Sequence, residues 1–182
     1  MGSRYSIRDN SGLYFITLTV LGWIELFIRN EYRHCFLDSV DYCRKNKGLR
    51  IHAYVIMTSH VHAIVSSEDS HDLPGTIRDL KKFTSKRLIE LIQEIPESRS
   101  VWMMNKFKYE ANRTTRGQDH ILWQQGYHGI QLETNHFIDQ KLDYIHYNPV
   151  NAGFVDEPEH YLFSSARNYT GQKGIIEVDL LE

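Results

Sequence analysis

Two cysteines, four prolines and no apolar run near the roughly 20 residues of a membrane span set the first limits on this 182-residue chain. Cys35 and Cys43 fall in one segment of helical character, about 12 Å apart along its axis, too far for a bridge within a straight helix. They read as reduced thiols, the expectation for a cytoplasmic protein. Met1 to Asn10 is polar and lacks the apolar core of a signal peptide. The formal net charge of -2 gives no global sign of nucleic-acid binding. Its distribution is uneven. Acids crowd the end of the chain, and bases gather at 44–47, 78–87 and 106–116, so a local cationic surface is compatible with the near-neutral total. There is no internal repeat and no low-complexity tract, and no glycine-rich phosphate loop.

The apolar pattern supplies the elements. Leu13 to Val20 alternates, with Tyr14, Ile16, Leu18 and Val20 on one face and Phe15, Thr17 and Thr19 on the other. Glu31 to Lys47 is helical, with Tyr32, Phe36, Val40 and Cys43 as its buried stripe and Gly48 as its stop. Ile51 to Val65 reads as two short strands joined by a turn at Thr58-Ser59. Ser70 to Gly75 is a loop. Thr76 to Ile92 is a second amphipathic helix, with Ile77, Leu80, Thr84, Leu88 and Leu91 inside. Residues 94–119 show no sustained period and are expected to be a loop or insertion. Ile121 to Glu133 is strand-like, and Asn135 to Asn148 is a third helix, capped by Thr134 or Asn135 and ended by Pro149. Gly153 to Tyr169 is expected to be irregular and to wrap back over the domain. The order β-α-β-β-α-β predicts an α+β, ferredoxin-like antiparallel sheet with helices on one face, plus the later helix. This is a single domain with a core of about 13–150 and a C-terminal extension of 151–182.

Side chains alternate across a strand, so His60 and His62 share a face while Val61 points the other way. Two imidazoles so placed can grip one cation. If they share the Thr17 and Thr19 side of the first strand, they line a site instead of a core. On the third helix Tyr144 and Asn148 lie four apart and stack on one flank. On the second, Arg78, Lys82 and Lys86 recur every fourth residue, flanked by Lys81; such a row suits phosphate, or is simply a solvated face. His52, His128, His136 and His146 read as structural. Tyr147, about 300° around the helix from Tyr144, reads as packing. Trp123 and Tyr127 read as core aromatics with stacking on bases as the alternative, and Ser164-Ser165 lacks a matched base for hydrolysis.

Two segments together carry a resemblance. Met57-Thr58-Ser59-His60-Val61-His62-Ala63-Ile64-Val65 and Leu142-Asp143-Tyr144-Ile145-His146-Tyr147-Asn148-Pro149-Val150-Asn151-Ala152-Gly153-Phe154-Val155 are similar to the signatures of single-tyrosine HUH transposases. The Tyr-Ile-x-x-Asn-Pro-Val-x-Ala-Gly string points to the REP-associated tyrosine transposases. Phe163-Ser164-Ser165-Ala166-Arg167-x-Tyr169 resembles that group's tail, and Trp123 to His128 its segment before the tyrosine helix. The likeness runs from about Tyr14 to Tyr169, with the middle insertion unmatched. Thr58-Ser59 stands where these proteins often have Pro-Asn, and Asn148 where the longer single-strand transposases often have Gln.

The resemblance implies roles. His60, His62 and Asn148 hold a divalent metal, Mg²⁺ or Mn²⁺. Tyr144 is the nucleophile that attacks hairpin-bearing single-stranded DNA and forms a 5′-phosphotyrosine link. Arg78, Lys81, Lys82 and Lys86 are the candidate DNA contacts. The oligomeric state stands open between monomer and homodimer. Two other functions compete with strand transfer: a domesticated relative that binds DNA without cutting it, and a metal-dependent hydrolase using His60 and His62.

Overall fold

A computed structural model describes residues 7, 10, 12–68, 71–113, 117 and 119–181. The elements are β1 (Tyr14–Thr19), α1 (Asn30–Asn46), β2 (Leu49–Ile56), β3 (His60–Ser67), α2 (Leu73–Glu94), α3 (Ser100–Asn112), β4 (His128–Gln131), α4 (Asn135–Asn151) and α5 (Ala166–Tyr169). The strands form one antiparallel sheet in the order β2-β3-β1-β4. That is the expected ferredoxin-like arrangement, with α3 as an addition.

The alternation in the strands decides which helix lies where. Ile16, Leu18, Val61, Ala63 and Val65 face Phe36 and Val40 of α1 and Ile77 and Leu80 of α2. Phe15 and His62 face the opposite way, toward Tyr144 of α4. The sheet is therefore covered by α1 and α2 on one side and approached by α4 on the other. Gly48 ends α1 at φ +61°, where a Cβ would also come 2.5 Å from the His71 ring, so only glycine fits.

Four sequence expectations shift. α2 begins at Leu73, because Leu73 is buried and Pro74 is tolerated in a first turn; of the expected loop, Ser70 lies outside the described residues. The 94–119 segment contains α3. Its inner stripe is only Met103, Phe107 and Ala111, and the rest of its surface is polar or exposed, which leaves little period to detect. Thr114 to Arg116 and Gln118 lie outside the described residues. The strand expected over 121–133 narrows to β4, preceded by a bridge from Val20 to Trp123 and the left-handed Gly126. Finally, α4 runs through Pro149 to Asn151. A proline this close to the end forfeits one ladder bond and does not stop the helix. Closure comes just after, where Gly153 is left-handed and the Phe154 N–H donates to Pro149 O at 2.9 Å.

The tail does wrap back, and it covers the open edge of β2. Ile56 N donates to Phe163 O, Ser165 N to Tyr54 O and Asp179 N to Ile51 O, each at 2.9 Å. The hydroxyls of Tyr161 and Tyr169 reach Ile56 O and His52 O. Pairing of this kind removes an exposed strand edge.

Glu97, between α2 and α3, is the charged hub of the fold, its side chain only 2% exposed. Arg99 Nε and Nη2 bind its two oxygens at 3.1 and 3.0 Å, Arg29 lies 3.5 Å away, and the Tyr32 hydroxyl donates to it at 3.3 Å. Arg99 holds the carboxyl down at about 2, while burial and this carboxylate push the Tyr32 phenol up to about 12. A depressed carboxyl contributes stability above its unfolded pKa near 4.5 and loses it as pH falls toward 2. Glu97→Gln is expected to lower unfolding free energy at pH 7 by about 3 kcal/mol, and the deficit should shrink as denaturant melts are repeated from pH 4.5 down to 2.

Candidate functional site

Thr17 stands opposite His62 and Thr19 opposite His60 in the β1–β3 ladder. The two histidines therefore join the partly polar face of β1, as the alternation suggested. The His62 ring stacks on Phe15 with centroids 5.3 Å apart and meets the His60 ring edge-on at 4.7 Å. Its Nδ1 lies 2.8 Å from Thr17 Oγ1, and its Nε2 lies 3.4 Å from the Tyr144 hydroxyl. Burial, reinforced by the His60 and Lys141 charges, pushes His62 down to about 3; burial also lowers His60. Both imidazoles are thus neutral at ordinary pH, with lone pairs to offer.

The helix α4 brings three groups to this face at one-turn intervals. Tyr144 is 45% exposed, its ring 5.2 Å from that of His62 and 5.9 Å from Phe15. Lys141, a turn earlier, places Nζ 4.9 Å from the Phe15 ring and 5.5 Å from the Tyr144 ring. Asn148, a turn later, is half-buried on the same flank. The helix can present Tyr144 to solvent because its other side is tied down. Ile145 and His146 are buried, His146 Nε2 lies 2.9 Å from Ser165 Oγ, and its ring packs against Tyr169.

The donor chemistry fits a divalent ion. Two neutral imidazoles, one oriented through its far nitrogen by a hydroxyl, are a common half of such a site. Among the described residues no three His, Cys, Asp or Glu side chains gather; of the α4 amides, Asn148 is the one a single turn beyond Tyr144. The single lone pair at His62 Nε2 serves either the phenol or an ion, and binding of an ion would exchange one contact for the other.

The second-helix cations divide. Arg78, Lys82 and Lys86 are exposed, on the far side of the sheet from the histidines. Lys81 is not part of an outer row. Its ammonium turns inward and donates to the carbonyls of Gln124 (2.9 Å) and Gly126, and burial lowers its pKa to about 8. Those carbonyls belong to the loop before β4 and need a donor.

Other candidates resolve into structure. His52 bonds the Asp179 carbonyl and Ser66, and Trp123 is a core ring whose Nε1 donates to Thr84 Oγ1 at 3.0 Å. Tyr147 is exposed, not packed, because α4 covers the sheet with a narrow stripe. Cys35 and Cys43 are unbridged. Ser165 has a histidine after all, in His146, yet the pair is sealed in the interior and Ser165 Oγ also accepts the Tyr54 N–H at 2.9 Å. Sequence reasoning passed over Phe15, Trp23 and Lys141. Phe15 left a signal in its place on the Thr17 face of β1, and Lys141 in lying three residues before Tyr144 on the same helix.

The family model for IS200-like transposases matches residues 25–108, which include His60 and His62. The matched span contains the histidine pair but ends before Tyr144. A REP-associated tyrosine transposase solved bound to a REP hairpin has the same fold, with 17% identity and a TM-score of 0.65 over 100% of this chain and 94% of that one. A Deinococcus radiodurans R1 protein of provisional transposase assignment aligns over 80% of this chain and 94% of its own, at 15% identity and a TM-score of 0.46. No curated protein matches. No helix among the described residues is long and apolar enough to cross a membrane.

Because Ser165 serves the fold, Ser165→Ala is expected to cost about 1–3 kcal/mol by stranding His146 and the Tyr54 amide. A serine-directed fluorophosphonate should leave the native protein unlabelled by mass spectrometry; a stoichiometric adduct at Ser165 would contradict this.

Proposed function

We propose that this chain is a metal-dependent strand transferase that nicks and rejoins hairpin-bearing single-stranded DNA through a 5′-phosphotyrosine link. The observation that carries the reading is the Tyr144 hydroxyl at 3.4 Å from His62 Nε2 within one chain. The late-helix phenol and the mid-chain imidazole pair share one solvent-open face, which supports a site assembled in cis.

In this reading Tyr144 Oη attacks a DNA phosphorus. The Oη–P bond forms as the P–O3′ bond breaks, the phenol proton passes to solvent, and the 3′-oxygen leaves as a hydroxyl. Rejoining is the reverse, with a 3′-hydroxyl attacking and the phenol departing. The energy of the phosphodiester is conserved in the tyrosyl ester, so no nucleotide is consumed. A free phenol has a pKa of about 10, so the attacking group needs positive surroundings. Lys141 supplies a fixed charge beside the ring. His60, His62 and Asn148 are the residues that would hold Mg²⁺ or Mn²⁺, which when bound polarises the phosphate and stabilises charge on the leaving oxygen. Thr17 fixes the orientation of His62. Phe15 holds the same ring from its face. Arg78, Lys82 and Lys86 remain exposed cations for phosphate, while Lys81 is withdrawn from that set. The hairpin form of the substrate is supported by the similar fold that was solved on a REP hairpin.

Incubation with hairpin oligonucleotides and Mn²⁺ should give an adduct stable on a denaturing gel, absent in Tyr144→Phe and in His60→Ala. An adduct that survives Tyr144→Phe would overturn the assignment. Binding without cleavage would indicate a DNA-binding relative, and turnover that needs His60 but not Tyr144 a hydrolase. Thr17→Val is expected to weaken Mn²⁺ binding roughly 10- to 100-fold, read by electron paramagnetic resonance titration.

A further inference from the structure

We propose that single-stranded DNA leaves the histidine–tyrosine site across Trp23 and follows the outer face of α3. This rests on the strand-transfer reading for its substrate and extends it to a surface beyond the reacting groups.

The first support is a strained turn. Trp23, with φ +57°, is the one non-glycine residue at positive φ among the described residues, and it follows Gly22 at φ +63°. Such geometry is disfavoured for a side chain as large as tryptophan, and it persists only where the surroundings enforce it. They do so here. Val20 N donates to Ser59 O at 2.9 Å, Trp23 N to Val20 O at 3.0 Å and Phe27 N to Thr58 O at 2.8 Å, which clamps the turn against the start of β3. Burial of the ring does not compensate for the strain, since Trp23 is 59% exposed. What the geometry achieves is to stand an indole edge-on to His60, with centroids 5.5 Å apart.

The second support is the stripe on α3. Trp102, Lys106, Tyr109 and Arg113 are spaced i, i+4, i+7 and i+11, within an arc of about 60°. Trp102 is 56% and Tyr109 58% exposed. Lys106 Nζ and Arg113 Cζ each lie 5.8 Å from the Tyr109 ring. Glu110 at the edge of the stripe pairs with both cations, at 3.3 and 3.4 Å, in surface contacts that a phosphate can displace. Met103, Phe107 and Ala111 anchor the opposite side of the helix, so the stripe is a rigid platform. It also abuts the turn: Lys106 Cε lies 3.7 Å from where a Cβ on Gly22 would stand. Rings for bases alternating with cations for phosphates are the composition of a single-strand path; an apolar partner surface would not require the cations.

The test is fluorescence anisotropy of labelled (dT)20 in metal-free buffer, a readout independent of cleavage. Trp23→Ala and Tyr109→Ala should each weaken binding roughly 5- to 100-fold. Trp23→Phe should recover most of the loss, and Lys106→Ala should reduce the salt slope by about one. Trp23→Gly should melt no lower than wild type, because glycine suits the left-handed turn, yet bind as poorly as Trp23→Ala. Binding within twofold of wild type in all these variants overturns the path, as does an equal loss for a 20-base-pair duplex, whose bases cannot stack on the rings. If Tyr144→Phe keeps its adduct while Trp23→Ala loses (dT)20 affinity, the chemistry fails and the path stands. A normal adduct with unaltered (dT)20 binding by Trp23→Ala removes the path alone.

Discussion

The site depends on the register of β1 against β3. With Thr17 opposite His62, one hydroxyl faces one imidazole nitrogen, and both histidines fall on the side that α4 approaches. A slip of one residue would bury the pair under α1 and α2 and turn Val61 outward. The sheet does contain an irregularity, a bulge between Ile51 and Ala53, but it lies in β2. The bulge leaves the alternation of β3 intact, and His52 occupies the extra position with both ring nitrogens bonded. Burial of the opposite face, from Ile16 to Val65, makes that register costly to change.

A second constraint brings the phenol to the histidines. Helix α4 is held by the buried Ile145 and His146, and His146 is joined through Ser165 to the Tyr54 amide of β2. The C-terminal tail therefore has two tasks, covering the sheet edge and fixing the tyrosine helix. Burial holds His146 down at about 4, so the link is made by a neutral ring and does not break at mildly acidic pH. The same helix leaves Tyr144 almost half exposed, as a group must be to meet a macromolecular substrate.

Helix α3 gives the ferredoxin-like frame a further surface. It is tied to the core by a narrow stripe and by Glu97, whose contacts span the start of α1 and the α2–α3 link. Those contacts also hold the segment that carries Trp23, since Arg99 bonds the Glu25 carbonyl. The charged hub and the strained turn thus belong to one mechanical unit beside His60.

Much of this was legible in the chain itself. Alternation in Leu13 to Val20 and Ile51 to Val65 determined the faces of each strand, because a strand repeats every two residues wherever it lies. Helical spacing determined that Tyr144 and Asn148 share a flank. Three things were decided by tertiary structure alone. The inward turn of Lys81 depends on carbonyls more than 40 residues away, to which no local pattern refers. The sealed pairing of His146 with Ser165 joins a helix to a tail. The nearness of Tyr144 to His62, 82 residues apart, follows from α4 crossing the open face of the sheet. Periodicity assigns a face to each element, but only packing in three dimensions decides which faces meet.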